Sequence, residues 1–518
     1  MLDLKISGGT VLDGVGTPPL RADVGITDGR IADVGDLQNA VARRQLDATG
    51  RMVCPGFIDA HSHSDAYLLL EPSAAGKVFQ GVTTEVIGNC GASAAPRTPQ
   101  ARMPSDWEPF SYPGRWSTVA EYRALLEQVK PAVNVYALAG HNTLRASVMG
   151  YEGRPARPEE QQAMERLLEQ AFDEGVRGLS TGLIYPPGLS ATAGELQSLA
   201  AVAGRKGGIY TSHLRSEGAG LLDAIRETVA VGRTSGARVQ ISHLKTAGKS
   251  NWGLLDEALA LIEAARSEGL AVAADRYPYT SSCTELDSLF PAWATEGGRA
   301  AELARLRDPA TRAKLRDELL QSRGAEYWPT VTVGSTTPPN ARFRGLPLPQ
   351  VAAMVRMEPV DAFLSLIESD GLSTSGFFHG MSEENLWKIL AKPWVMLGSD
   401  ASLRAPWGPL SRDFPHPRAY GTFPRFLRAA LDGRTVPLPE AIRKLTALPA
   451  EHFEMRGRGV LKTGMRADVV VFNPAAVADR STYTKPHQLA AGIVHVIVNG
   501  LPTLVDGDLT GIRAGAWL

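Results

Sequence analysis

A chain of 518 residues, 44% of them hydrophobic, is long enough for a large core and more than one domain. Lys plus Arg number 54 against 55 Asp plus Glu, for a net charge of −1, and no basic cluster stands out, which argues against nucleic acid as a partner. There is no uninterrupted apolar run of membrane-spanning length and no basic-then-apolar leader, and Cys54, Cys90 and Cys283 make neither an even framework nor a CxxC pair. The expectation is an ordered cytoplasmic protein with no membrane partner and no structural disulfides.

In chain order, residues 1–52 read as short strands. Met1 to Thr10 alternates apolar and polar residues, and Val24 to Ile31 is broken by an Asp28-Gly29 turn. Cys54 reads as a strand residue before Pro55. From about residue 53 to 400, β-branched runs alternate with amphipathic helical patterns, the signature of parallel βα units. Eight strands are predicted, near 57–61, 82–87, 134–139, 177–181, 209–213, 238–243, 271–276 and 394–399, with helical stretches such as 158–174 and 254–268 between them. Eight such strands close a TIM-type barrel. A segment at about 283–350 interrupts the last repeat with a helical pattern at 300–321 and a Pro-rich tail. Long insertions in βα loops lie on the catalytic face, so this one is a candidate lid. Ala467 to Phe472 and His495 to Gly500 again read as short strands, the second ending in an Asn-Gly turn. The predicted class is α/β: a (β/α)8 barrel at 53–458 with the insertion, flanked by a small β-sandwich built from residues 1–52 and 459–518.

The chemistry-bearing residues fall at the C-terminal ends of the predicted strands, where barrel enzymes build their sites. An apolar run after Pro55-Gly56 stops on His61-Ser62-His63, whose two imidazoles point the same way from an extended strand. The second strand runs into Gly88-Asn89-Cys90-Gly91, the fifth ends on His213, the sixth on His243 and the eighth on Gly398-Ser399-Asp400. Each has a plain alternative taken singly: Cys90 as a small buried residue, His213 or His243 as a hydrogen-bonded core histidine, Asp400 as a helix cap. Together they are four imidazoles, a thiolate and a carboxylate, a set suited to zinc. Gly91-Ala-Ser93 makes no nucleophile elbow, and Ser180 of Gly178-Leu-Ser-Thr-Gly182 falls within the predicted strand 177–181 and not at a strand-to-helix turn, which disfavours a serine hydrolase.

Phe57-Ile-Asp-Ala-His-Ser-His-Ser-Asp65, Gly81 to Gly91, Leu179 to Tyr185, His213-Leu-Arg-Ser-Glu217, Ser242-His-Leu-Lys245, Asn251-Trp-Gly253, Asp275-Arg-Tyr-Pro-Tyr279, Gly398-Ser-Asp400 and His416-Pro-Arg-Ala-Tyr-Gly-Thr-Phe-Pro-Arg425 resemble the D-aminoacylase (N-acyl-D-amino-acid deacylase) branch of the amidohydrolase superfamily over nearly the whole chain. The resemblance implies one tight zinc on Cys90, His213 and His243. His61, His63 and Asp400 then complete a second, weaker metal position or hydrogen-bond substrate and water. It also implies a small-molecule N-acyl-amino-acid substrate whose carboxylate is gripped by Lys245, Tyr279 and Arg418, with Tyr185 nearby. Dihydroorotases and hydantoinases share HxH and Asp but bridge two metals with a carboxylated lysine, and Cys90 argues against them. Asp400 is expected to carry the proton from water to the departing amine. Hydrolysis of a different amide, ureido or peptide-like bond, and a metal-free structural homologue, stand as alternatives. Oligomeric state has no signal in the sequence.

Overall fold

The protein, described over residues 1–518 by a computed structural model, forms all eight expected parallel strands with slightly trimmed ends. They are Phe57–Asp59, Val82–Ile87, Asn134–Ala137 continued by Ala139–Gly140, Gly178–Gly182, Ile209–His213, Arg238–Ile241, Val272–Arg276 and Val395–Leu397. Each pairs in parallel with the next. The third strand breaks at Leu138, whose N–H still reaches the Ile87 carbonyl at 3.0 Å. The ring closes where Ala60 N–H donates to the Leu397 carbonyl (3.2 Å) and Asp400 N–H to the His61 carbonyl (2.8 Å). That order is the order of a TIM-type barrel.

Ile58, Ala60, Val86, Tyr136, Leu138, Ile209, Ala273 and Met396 fill the barrel, closed below by Phe453 and Met455 and touched by Leu518. Helices cover the outside, as the helical periodicity between strands requires. Pro158–Asp173 begins on a proline at its first turn, and Glu160 reaches back to the Arg157 N–H at 2.8 Å, which satisfies a donor the helix itself cannot.

The insertion is longer than its sequence pattern suggested. Strands Ser281–Glu285, Val331–Val333 and Ser375–His379 form an antiparallel sheet over a separate core that includes Phe290, Trp328, Phe343 and Phe363. It therefore runs to about His379 rather than to 350. The helix expected at 300–321 is two, Arg299–Arg307 and Pro309–Arg323. Pro309 lacks the N–H needed to continue the first, and the Asp308 carboxylate caps the second by accepting the Thr311 N–H at 2.8 Å.

The chain ends meet in one mixed nine-stranded sheet, continuous in its hydrogen bonding where a two-layer sandwich was expected. Met52–Pro55 belongs to this sheet, between Leu2–Val11 and Val469–Phe472, so the barrel starts at Phe57, not at 53. Asp28-Gly29 and Asn499-Gly500 both have positive φ at each residue (51° and 71°; 50° and 84°), the geometry that matches hairpin twist. No helix is long and apolar enough to cross a membrane.

Lys444 lies under the eighth barrel strand, 1% exposed, where it donates to the carbonyls of Val395 (2.8 Å) and Lys392. Burial pushes its ammonium down to about 7, against a smaller opposing pull from Glu440. An unfolded lysine binds its proton up to about pH 10.4, so between these values the unfolded chain holds more protons and stability rises with pH. Urea titrations are expected to show this rise between pH 7 and 9, at no more than about 1.4 kcal/mol per pH unit. Lys444→Met should flatten it, and an unchanged slope would mean that the amine is not the group responsible.

Candidate metal centre

Cys90 hangs from a loop that local chemistry holds tightly. Gly88, Cys90 and Gly91 all take positive φ (77°, 50° and 78°), and the Asp65 carboxylate accepts the N–H groups of Gly88 and Ala94, each at 3.2 Å. The Asn89 amide closes the turn on the Val86 carbonyl at 2.8 Å. His243 and Asp400 leave their strands through positive φ as well (36° and 49°). A non-glycine residue in this region costs of order 1–3 kcal/mol and persists only where its surroundings fix it. Three such residues on one barrel lip mark a site whose geometry overrides local preference.

The structure brings all six expected ligand residues together. His61, His63, Cys90 and Asp400 form one group of donors, and Cys90, His213 and His243 a second, with the ligand atoms of each group within 4.8 Å of one another. Cys90 Sγ lies 3.3 Å from His61 Nε2 and 3.5 Å from His243 Nε2. Asp400 Oδ1 lies 3.1 Å from His63 Nε2 and 3.4 Å from His61 Nε2. His213 is 5% exposed, and neither of its ring nitrogens has a hydrogen-bond partner. Orphaned imidazole nitrogens beside a thiol are costly unless a ligand takes them up. This donor set fits a borderline-soft divalent ion such as zinc.

Sequence reasoning missed the carboxylates behind the imidazoles. Asp275 lies 3.2 Å from His61 Nδ1 and also accepts the His243 N–H (2.9 Å) and the Gln240 amide (2.8 Å). Glu217 lies 2.8 Å from His243 Nδ1. Each carboxylate favours a proton on Nδ1 and leaves Nε2 free to ligate. Asp275 stands at the end of the seventh strand and Glu217 four residues after His213, positions at which strand-end polarity was the available signal.

Mutual charge sets the protonation of the group. Burial raises the Cys90 thiol, but His61 and His243 outweigh it and hold the thiol well below its ordinary value. Burial likewise raises the Asp400 carboxyl, and Arg418, His243 and His61 bring it well below the usual carboxylate range. Burial lowers His63, and Asp400 and Cys90 together outweigh it and raise the ring to about 9. A thiolate and a carboxylate both deprotonated are the forms that bind metal.

The expected substrate-gripping residues divide. Arg418 reaches the centre, with Nη1 2.6 Å from Asp400 Oδ2 and Nη2 donating to the Cys283 carbonyl at 3.2 Å. Lys245 is present too, its ammonium on Glu217 and 2.8 Å from His243 Nδ1. The Tyr185 ring stands edge-on to His213 at 5.0 Å and its hydroxyl is 3.2 Å from Thr284 Oγ1. Tyr279 turns away, its hydroxyl donating to Asp479 at 2.9 Å. The tyrosine at the site is Tyr277, stacked under Arg418 (4.6 Å) with a buried hydroxyl that has no partner. A tight turn around Pro278, in which the Tyr279 N–H reaches the Tyr277 carbonyl at 3.0 Å, sends the two rings different ways.

Ser281 and His416, 2.8 Å apart, do not make a nucleophile and base. His416 Nδ1 accepts the Arg418 N–H at 3.0 Å, so in the neutral ring Nε2 carries the proton and donates to Ser281. The metal centre opens into a cavity of about 2140 Å³ lined by the barrel lip, by Arg102 to Phe110 and by the insertion from Ser282 to Phe290.

Comparison with known proteins agrees with this arrangement. The amidohydrolase family pattern matches residues 44–503. D-aminoacylase of Alcaligenes xylosoxydans xylosoxydans is 38% identical over 517 residues, covering 99% of this chain and 96% of that protein. N-acyl-D-glutamate deacylase of the same organism is 38% identical over 501 residues, covering 96% and 93%. The crystal structure of N-acyl-D-glutamate deacylase from Bordetella bronchiseptica, complexed with zinc and a phosphonate mimic of the tetrahedral intermediate, superposes with a TM-score of 0.85 at 36% identity, covering 100% of this chain and 99% of that one. With its ligand groups at the strand ends and similarity along its whole length, this chain is an enzyme of the amidohydrolase family and belongs to the D-aminoacylase branch.

Proposed function

We propose that the protein is a zinc-dependent deacylase that hydrolyses N-acyl-D-amino acids to a carboxylate and a free D-amino acid. The observation that carries this reading is the placement of Arg418, a buried cation 2.6 Å from Asp400, between the metal ligands and a wide cavity. A substrate carboxylate there meets a planar guanidinium fork, with Lys245, Tyr277 and Tyr185 supplying further donors.

Cys90, His213 and His243 hold the tighter ion, while His61, His63 and Asp400 hold a weaker one or contact substrate and water. Zinc, when bound, polarises the amide carbonyl and acidifies water enough to attack near neutral pH. Asp400 accepts the proton of the attacking water and delivers it to the amine nitrogen as the C–N bond breaks. Glu217 and Asp275 keep the His243 and His61 rings oriented throughout. With the carboxylate on Arg418 and the acyl carbonyl toward the Cys90 side, only one configuration at Cα directs its side chain into the open cavity. The insertion, whose residues line that cavity, acts as its lid.

A panel of N-acetyl D- and L-amino acids tests this reading, with release of the D-amino acid expected and the L series left intact. Equal rates for both series, or hydrolysis of ureido or cyclic amides alone, would overturn it. Arg418→Ala is expected to lower kcat/KM on the D substrate by about 2–5 kcal/mol of transition-state binding, since a desolvated charge loses its partner. Arg418→Lys should recover little, because an ammonium lacks the fork. Arg418 also touches Asp400, so the decisive comparison is the methyl ester of the same substrate. If ester and free acid suffer equally in Arg418→Ala, the arginine serves Asp400 and not the carboxylate.

A further inference from the structure

Lys77 lies beneath the metal centre on the short helix Ala75–Val78, with a side chain 0% exposed. Its ammonium is 2.7 Å from Asp59 Oδ2, 2.9 Å from Glu85 Oε1, 3.0 Å from Ser399 Oγ, 3.3 Å from Ser62 Oγ and 3.2 Å from the Ala401 carbonyl. An ammonium has three protons, so five oxygens around it are gathered by its charge as much as by individual hydrogen bonds. Burying two carboxylates and one ammonium together is costly unless the remaining lone pairs are used. Most are: Ser399 donates its N–H (2.8 Å) and its hydroxyl (2.6 Å) to Asp59, and the hydroxyls of Ser62 (2.6 Å) and Ser64 (2.7 Å) go to Glu85.

The partners of this cluster are the chain neighbours of one half of the centre. Ser62 stands between His61 and His63, Ser64 follows His63, and Ser399 and Ala401 flank Asp400. The other half is anchored elsewhere. The Cys90 loop is held by Asp65 and Asn89, and His243 by Asp275 and Glu217. Three contacts join the halves: Asp275 through His61, Cys90 Sγ 3.3 Å from His61 Nε2, and the Asn89 amide donating to the Ser62 carbonyl at 3.3 Å.

Resting on the metal reading above, we propose that Lys77 is a positioning residue whose buried ammonium registers the His61–His63 arm against the Ser399–Ala401 arm. It thereby sets His61, His63 and Asp400, which share Cys90 with the His213 and His243 group, while none of its own partners flanks His213 or His243. Loss of a group that orients metal ligands lowers affinity by about 10–100-fold, and here the loss falls on one position of two.

The test uses the full-length metal-free protein titrated with Co²⁺, read by the thiolate-to-cobalt absorption that reports Cys90 and by cobalt retained after dialysis. Wild type is expected to take up two equivalents. Lys77→Met should bind the first with a normal thiolate band and the second at least about tenfold more weakly, while the zinc-loaded variant loses kcat at nearly unchanged KM. Wild-type binding of both equivalents by Lys77→Met, or loss of the thiolate band along with the second equivalent, overturns the proposal. A single equivalent in wild type would instead remove the two-position reading, and the proposal with it. If Lys77→Met does not fold, Ser399→Ala carries the test, because it cuts one link to the Asp400 arm and leaves the ion cluster in place. It should weaken the second equivalent alone, and a titration like wild type would count against Lys77.

Discussion

Cys90→Ala is expected to strip the protein of most of its metal and nearly all of its activity. Cys90 is the residue common to both groups of donors, so its removal takes a ligand from each position at once. The side chains left behind cannot compensate. His213 has no other partner for either ring nitrogen, and burial together with the neighbouring His243 keeps it poorly protonated, so its nitrogens gain nothing from the lost thiolate. Outer partners of a metal site are worth about 10–100-fold in affinity, and a direct ligand exceeds that. Metal content by atomic absorption and hydrolysis of an N-acetyl-D-amino acid, measured on the same preparation, decide the matter. A folded Cys90→Ala protein that retains one zinc and turns over normally would make Cys90 a packing residue of the Gly88–Gly91 loop and nothing more.

The residues that could be read in advance are those whose signal is local. Phe57-Ile58 running onto His61 and His63, Ile209 to His213 and Val395 to Asp400 each carry an apolar run and its polar terminus within a few positions, so strand and candidate ligand are visible together. Lys77 has no such signal. Its partners Ser399 and Ala401 lie 322 and 324 residues away, and only barrel closure between the first and eighth strands brings them into reach. Asp275 was visible as part of a motif but not as the partner of His61, for the same reason. The resemblance points to Tyr279, and spacing along the chain says nothing of the turn at Pro278 that sends its hydroxyl to Asp479 and lays Tyr277 under Arg418. The insertion ran past 350 because the helices Leu348–Val355 and Pro359–Ser369 carry the same amphipathic period as the outer helices of a barrel. What distinguishes them is the separate core they cover, which is a property of packing rather than of periodicity.

Asp400→Asn should collapse turnover while leaving substrate affinity nearly intact. The two side chains have the same shape, so the bonds that place residue 400 between His63 and Arg418 can be remade with the amide oxygen toward the guanidinium. An amide cannot accept the proton of the attacking water, and the step that passes this proton to the leaving nitrogen is lost with it. General acid–base catalysis of this kind is worth about 10²–10⁴-fold, so kcat should fall by that range and KM should move little. Metal content separates this effect from lost ligation. Because Asp400 belongs to the group with His61 and His63 and not to the one with His213 and His243, the variant should keep its tighter ion even where the weaker one is lost. An Asp400→Asn enzyme within about tenfold of wild type would place the proton on another group. The nearest protonatable candidate is His63, 3.1 Å from the same carboxylate oxygen. Parallel measurement of His63→Asn would then show which of the two carries the proton: the shuttle is the residue whose loss costs kcat with both ions still bound.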